Sequence, residues 1–212
     1  MIESKTAYII AAGPILNYNY VKEKIPNDAY ILCADGGIKH CEKLRISPNI
    51  IISDFDSSEN NLQKNCEVIT YPSEKDDTDF SLCVKKAISL GFDNIVTFGA
   101  VGGRIDHTLG AIQIVSYCAD RNVKCSLLED KNEIYMLNSG ESMILNNPQN
   151  KNISLFSYSE KCQGVFAKGV KYPLNNAELT SSFPLGISNK AISEISEISI
   201  ENGKLLIILS QD

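Results

Sequence analysis

The chain has 212 residues, 43% of them hydrophobic and 22% charged, with a formal net charge of −6. That length accommodates one large domain or two modest ones with buried cores, and the negative balance argues against a nucleic-acid binder, whose surface must attract phosphates. Seven cysteines (33, 41, 66, 83, 118, 125 and 162) contain no C-x-x-C pair, so neither a zinc-site spacing nor a secreted disulfide framework is present. The N-terminus lacks a signal-peptide pattern and no run reaches about 18 apolar residues, so no membrane span is expected and the cytoplasm is the expected compartment.

Up to about residue 130, short apolar runs alternate with helix-like segments. The runs are TAYIIA (6–11), AYILCA (29–34), NIIIS (49–53), EVITY (67–71), NIVTFG (94–99) and VKCSLL (123–128). Their continuous rather than alternating hydrophobicity predicts strands covered on both faces. After Asp77, the residues Phe80, Cys83, Val84, Ala87 and Ile88 share one helical face, which Gly91 closes as a C′ residue. The Lys85-Lys86 pair reads as a solvated face, and His40 as a surface helix residue. A further helix is predicted from about 106 to 120, with Leu109, Ile112 and Val115 inward. Alternation of this kind implies an α/β fold, a mainly parallel sheet with flanking helices.

Past Asp130 the helical spacing fades. NEIYMLN and ESMILN flank a Ser139-Gly140 turn, EISEISI and KLLIILS flank Glu201-Asn202-Gly203, and NISLFSYS adds another strand. Asn-Gly is a hairpin signal because both residues tolerate positive φ. The expected organisation is an α/β domain over residues 1–130 and a smaller all-β domain over 131–212.

The acids are informative by position. Asp35 follows the second run inside CADGG, and Asp54 and Asp56 follow the third in SDFDS. Asp76, Asp77 and Asp79 come after the fourth in EKDDTD, and Arg104 and Asp106 after the fifth in GAVGGRIDHTLG. In an open parallel sheet these positions share the carboxyl edge, where ligands bind. Two carboxylates about 6 Å apart repel by roughly 3 kcal/mol at an effective dielectric of about 20, so such a cluster calls for a cation or raised pKa values. An all-aspartate set suits Mg²⁺, which takes its remaining ligands from water and substrate phosphates. Gly36-Gly37 and Gly102-Gly103 precede helices and let backbone N–H groups approach an anion. Arg104 adds a planar fork for phosphate oxygens. No G-x-x-x-x-G-K-[ST] occurs, so this is no P-loop protein. Taken singly, each feature has an ordinary reading. Asp77 or Thr78 fits a helix N-cap, DFDS a turn, each glycine pair a tight loop, and His107 the first turn of its helix. Four acidic strand ends on one edge outweigh those readings together.

CADGG (33–37), DFDS (54–57), EKDDTD (74–79), GAVGGRIDHTLG (99–110), KGVKYPL (168–174) and GISN (186–189) occur in that order. The ordered set resembles the bacterial thiamine pyrophosphokinase family over nearly the whole chain. The resemblance implies an N-terminal domain that binds ATP and Mg²⁺, a C-terminal β-sandwich, and a homodimer with thiamine near its interface. It implies transfer of the pyrophosphoryl group of ATP to thiamine's hydroxyl, giving thiamine diphosphate and AMP. Carried over by position, Asp54, Asp56 and Asp79 are Mg²⁺ ligands, and Asp35 and Asp106 are acids of the same pocket beside Arg104. Gly36, Gly37, Thr78, Gly102, Gly103, Arg104 and His107 fall to the nucleotide, and Gly186, Ser188 and Asn189 to thiamine. Two positions depart from the family pattern: Ser53 stands where Gly commonly precedes DFDS, and Ala111 where Asn commonly follows HTLG. Two rival readings are a haloacid-dehalogenase-like phosphatase, which also uses D-x-D after a strand, and a non-catalytic nucleotide sensor.

Overall fold

A computed structural model describes residues 4–54, 66–72 and 76–211. The chain divides into two compact units, Met1–Asp130 and Lys131–Asp212.

In chain order the first unit comprises β1 (Thr6–Ile10), α1 (Tyr18–Lys24), β2 (Tyr30–Ala34), a 3₁₀ turn (Asp35–Gly37), α2 (Ile38–Leu44) and β3 (Ile50–Ser53). It continues with β4 (Glu67–Thr70), α3 (Asp79–Ser89), β5 (Asn94–Phe98), α4 (Ile105–Ala119) and β6 (Lys124–Leu128). The sheet order is β6-β5-β1-β2-β3-β4, with every pairing parallel. Parallel pairing needs crossovers, and α1, α2, α3 and α4 supply those from β1 to β2, β2 to β3, β4 to β5 and β5 to β6. Ile9, Leu32, Ile50, Ile52 and Ile95 are completely buried, as continuous apolar runs require, but the expected cover on both faces fails at β4, which ends the sheet order and is largely exposed, with Val68 at 37%. The chain enters at β1, runs outward through β4, then returns to the other side of β1 as β5. The topological switch point therefore lies between β1 and β5.

Side-chain caps hold the starts of α1 and α3. Asn17 Oδ1 accepts the N–H groups of Asn19 and Tyr20, each at 3.1 Å, and Thr78 Oγ1 accepts that of Ser81 at 3.1 Å. Gly91 follows α3 at φ +82°, the left-handed stop its sequence position implies. On α3, Cys83, Val84 and Ala87 are buried as the pattern predicts.

Three local expectations are corrected. Leu109 is 59% exposed rather than inward, although Ile112 and Val115 are buried. Fifteen residues of α4 span about 22 Å, whereas the five of β5 span about 17 Å. The first helical turns thus outrun the sheet. His40 is half-buried, with Nε2 2.8 Å from the Gly13 carbonyl oxygen and Nδ1 2.7 Å from the Tyr18 hydroxyl. The lysine pair is engaged rather than merely solvated: Lys85 Nζ donates to both Asp77 oxygens at 2.7 and 2.8 Å, and Lys86 lies 3.5 Å from Glu67.

The second unit contains β7 (Asn132–Leu137), β8 (Ser142–Asn146), β9 (Asn152–Ser157), β10 (Lys161–Lys168), β11 (Leu174–Thr180), β12 (Gly186–Lys190), β13 (Ile195–Ser199) and β14 (Leu205–Ser210). They form two antiparallel layers, β12-β9-β14-β7 and β11-β10-β13-β8. Ile153, Leu155, Leu205 and Ile207 of the first layer share a core with Val165, Ala167, Leu179 and Ile198 of the second.

The Asn202-Gly203 hairpin expectation is also corrected. β13 pairs with β8 and β10, while β14 pairs with β7 and β9, so this turn passes the chain from one layer to the other. Ser139-Gly140 does the same between β7 and β8. The two corners brace each other: Ser139 Oγ accepts the Gly203 N–H at 2.9 Å and donates to the Gly203 carbonyl at 3.2 Å. Turn chemistry selected the positive φ values, +80° at Gly140 and +108° at Gly203. Burial of both inner faces selected the partners.

Candidate active site

Strand ends gather the site. A cavity of about 830 Å³ opens at the carboxyl edge of the parallel sheet in the first unit. Its walls are the β1–α1 loop at Ala11–Pro14, Asp35 after β2, residues 76–81 at the start of α3, the β5–α4 loop, and the first turns of α4. It straddles the switch point between β1 and β5, the expected ligand position in such a sheet.

Of the candidate residues, Asp35, Thr78, Asp79, Gly103, Arg104, Asp106 and His107 line this cavity, as do Asp76 and Asp77. Asp54 follows β3 directly, and Asp56 lies outside the described residues. Gly102 adjoins the lining at φ +88°. Gly36 and Gly37 complete the 3₁₀ turn behind Asp35. Gly37 has a reason of its own: a Cβ there would collide with the Ile10 carbonyl oxygen where β1 passes behind the turn.

The polar atoms are partly committed. Thr78 caps α3. Asp77 takes Lys85 and the Ser81 hydroxyl, the latter at 2.8 Å, and so anchors the same helix. Arg104 grips Asp106 through Nε, at 3.1 Å, and a terminal guanidinium nitrogen. That hydrogen bond holds the Asp106 carboxyl below the ordinary carboxylate range, and Asp106 correspondingly raises Arg104. Asp35 sits at φ +38°, where non-glycine residues are rare. Its Oδ1 accepts the Ser53 hydroxyl at 3.0 Å. Among the described residues, no three acidic, histidine or cysteine side chains stand close enough to hold a metal ion. The donors around the cavity are nonetheless predominantly carboxylate oxygens, the chemistry a hard divalent cation takes.

Gly186, Ser188 and Asn189 lie on β12 of the second unit. Ser188 adopts φ +56° at a register shift against β9, and its N–H donates to Ser154 Oγ at 3.1 Å. Asn189 is 7% exposed. Its amide donates to the Tyr172 carbonyl at 2.6 Å, and its oxygen accepts the N–H groups of Tyr172 at 2.9 Å and Lys190 at 3.0 Å. The side chain ties the KGVKYPL segment to β12.

Sequence reasoning passed over two places. The Ala12-Gly13-Pro14 loop lines the cavity, and its signal was a Gly-Pro turn directly after the first apolar run. Glu129 follows β6 on the same edge as the other acids, where VKCSLLED announced it. Burial pushes its carboxyl up to about 7 against a Gly99 backbone hydrogen bond, and neighbouring Asp130 raises it further. Its Oε1 is buried and meets no donor among the described residues.

Acids, an arginine and loop amides converging on the switch point of a parallel sheet, followed by an antiparallel β unit, define a phosphate-handling α/β enzyme. Residues 21–127 match the model of the thiamin pyrophosphokinase catalytic domain, and residues 141–207 that of the thiamin pyrophosphokinase vitamin B1 binding domain. A thiamine pyrophosphokinase of Bacillus subtilis is 33% identical, covering 98% of this chain and all of its own length. The crystal structure of a thiamine pyrophosphokinase from B. subtilis superposes with a TM-score of 0.87 at 29% identity, covering 98% of this chain and 100% of that one. A Geobacillus thermodenitrificans counterpart gives 0.83 at 26% identity, covering 98% of each chain. This chain belongs to the thiamin pyrophosphokinase family. No helix among the described residues is long and apolar enough to cross a membrane.

Proposed function

We propose that this chain transfers the pyrophosphoryl group of ATP to the hydroxyl of thiamine, giving thiamine diphosphate and AMP. The observation that carries the reading is the acid-lined cavity at the switch point, in a chain whose two halves both match the family. In the step, the hydroxyl oxygen bonds to the β-phosphorus and the bond from that phosphorus to the α–β bridging oxygen breaks. AMP departs with that oxygen, and the hydroxyl proton passes to a carboxylate. Such a reaction asks the protein chiefly for positioning and charge neutralisation.

Asp54, Asp56 and Asp79 would hold Mg²⁺, which when bound neutralises polyphosphate oxygens. Asp35 is the proton acceptor in this reading. What supports it over Asp106 is the bidentate Arg104 pairing, which makes Asp106 the weaker base. Arg104 keeps Asp106 on Nε and one terminal nitrogen and offers its remaining guanidinium N–H groups to phosphate oxygens when the nucleotide arrives, with His107 beside it. Thr78, Gly102 and Gly103 shape the nucleotide's surroundings through backbone.

Gly186, Ser188 and Asn189 belong to the thiamine side of the reading. The homodimer with thiamine near its interface is part of it, supported by Phe183 and Leu185 just before GISN and Ile187 within it, which are 66%, 56% and 45% exposed. A cytoplasmic setting is supported by seven cysteines that are all free thiols. The test is AMP release from ATP and Mg²⁺, with and without thiamine. AMP that appears only with thiamine and vanishes with EDTA is the expected result. ADP in its place, or no nucleotide turnover, would overturn the reading.

A further inference from the structure

Ser53 closes β3 immediately before Asp54 and is 5% exposed. Its hydroxyl donates to Asp35 Oδ1 at 3.0 Å across the adjacent strand ends, where Ala34 of β2 pairs with Ile52 of β3. Asp35 needs such a restraint. Its backbone occupies the left-handed region at φ +38°, which costs free energy and persists only where surrounding structure imposes it. Its side chain lines the cavity and is only half-buried, so burial does not fix one carboxylate orientation and a specific bond can. A hydrogen bond from a buried hydroxyl to a carboxylate is charge-assisted and directional. Strand residues hold it more rigidly than a loop would.

We infer that Ser53 is a positioning residue for the reaction: it clamps Oδ1 of Asp35 and so presents Oδ2 to the attacking hydroxyl. The inference rests on the pyrophosphoryl-transfer reading and on Asp35 as proton acceptor.

The experiment compares wild type, Ser53→Ala, Ser53→Thr, Asp35→Asn and the Ser53→Ala/Asp35→Asn pair by steady-state AMP release. Thermal midpoints and crystal structures of wild type and Ser53→Ala accompany the kinetics. Ser53→Ala is expected to lower kcat about tenfold, with KM for thiamine within about twofold. Its melting midpoint should shift by less than about 3 °C. Ser53→Thr keeps the hydroxyl and restores most of kcat. In the Asp35→Asn background the Ser53→Ala change costs less than about twofold, because the group it positions has gone. In the Ser53→Ala crystal structure the Asp35 carboxylate leaves its wild-type rotamer. A Ser53→Ala kcat within twofold of an active wild type, an unmoved carboxylate, or a tenfold loss persisting beside Asp35→Asn overturns the positioning role while the functional reading stands. A wild type that releases no AMP overturns both. Ser53→Gly repeats the comparison if Ser53→Ala does not fold.

Discussion

The two units treat their motif residues in opposite ways. In the α/β unit, Asp35, Arg104 and Asp106 lie just past strand ends, where the ladder stops and side chains face a cavity. In the β unit, Asn189 makes three hydrogen bonds to backbone and is nearly inaccessible. Motif residues of the first kind are placed where a ligand in the cavity could be reached directly. Those of the second kind fix the backbone around them. A short motif in a sequence does not distinguish these duties, because it records only residue type and spacing.

Substitutions can break the contrast. Asp35→Asn removes the proposed proton acceptor without removing volume, and AMP release should fall about 10²–10⁴-fold while the denaturant midpoint hardly moves. Unchanged turnover would shift the role to Asp106. Asn189→Ala should behave in reverse. It removes three hydrogen bonds to the backbone of Tyr172 and Lys190, which together cost about 2–3 kcal/mol in urea unfolding, and any kinetic effect should fall on KM for thiamine. A stable protein with a pure kcat defect would instead place Asn189 at the chemistry.

Gly37→Ala tests whether the glycine behind Asp35 is architectural. Collision with the Ile10 carbonyl should destabilise the α/β unit by about 1–3 kcal/mol, visible as a lower melting midpoint even without substrates. Glu129→Gln should give the smallest effect, and a stabilising one. Burial raises the folded-state carboxyl to about 7 from an ordinary 4.5. The folded protein therefore holds this proton more tightly than the unfolded chain. The contribution to stability is fully present below about 4.5 and disappears as pH rises through about 7. Glutamine removes that loss, so the variant should gain about 1 kcal/mol at pH 8, after allowance for partial solvent exposure, and nothing at pH 4. A gain independent of pH would attribute the effect to packing.

Much of this was legible before any coordinates. The inner parallel strands announced themselves because burial on both faces demands uninterrupted apolar runs, whereas β4 carries such a run and is largely exposed; the acids announced the carboxyl edge because they recur after those runs. Thr78 as cap and Gly91 as stop follow from local backbone chemistry. The rim acid Glu129 was equally visible in LLED but lacked a neighbouring motif to draw notice. Leu109 was misplaced because periodicity records a helical face and not how far the facing sheet extends. His40 was misplaced because its partners, Gly13 and Tyr18, come from a loop and helix more than twenty positions upstream.

Local and periodic properties were thus determined by the sequence itself: apolar runs, caps, positive-φ turns, and the family-specific order of short motifs. Tertiary structure alone decided that Asn202-Gly203 joins two layers rather than two paired strands. It also decided that Asn189 is consumed by backbone and that Ser53 reaches Asp35. Each of these depends on which non-adjacent segments share a buried surface. That choice is made by the free energy of the whole packed chain, and no window of sequence contains it.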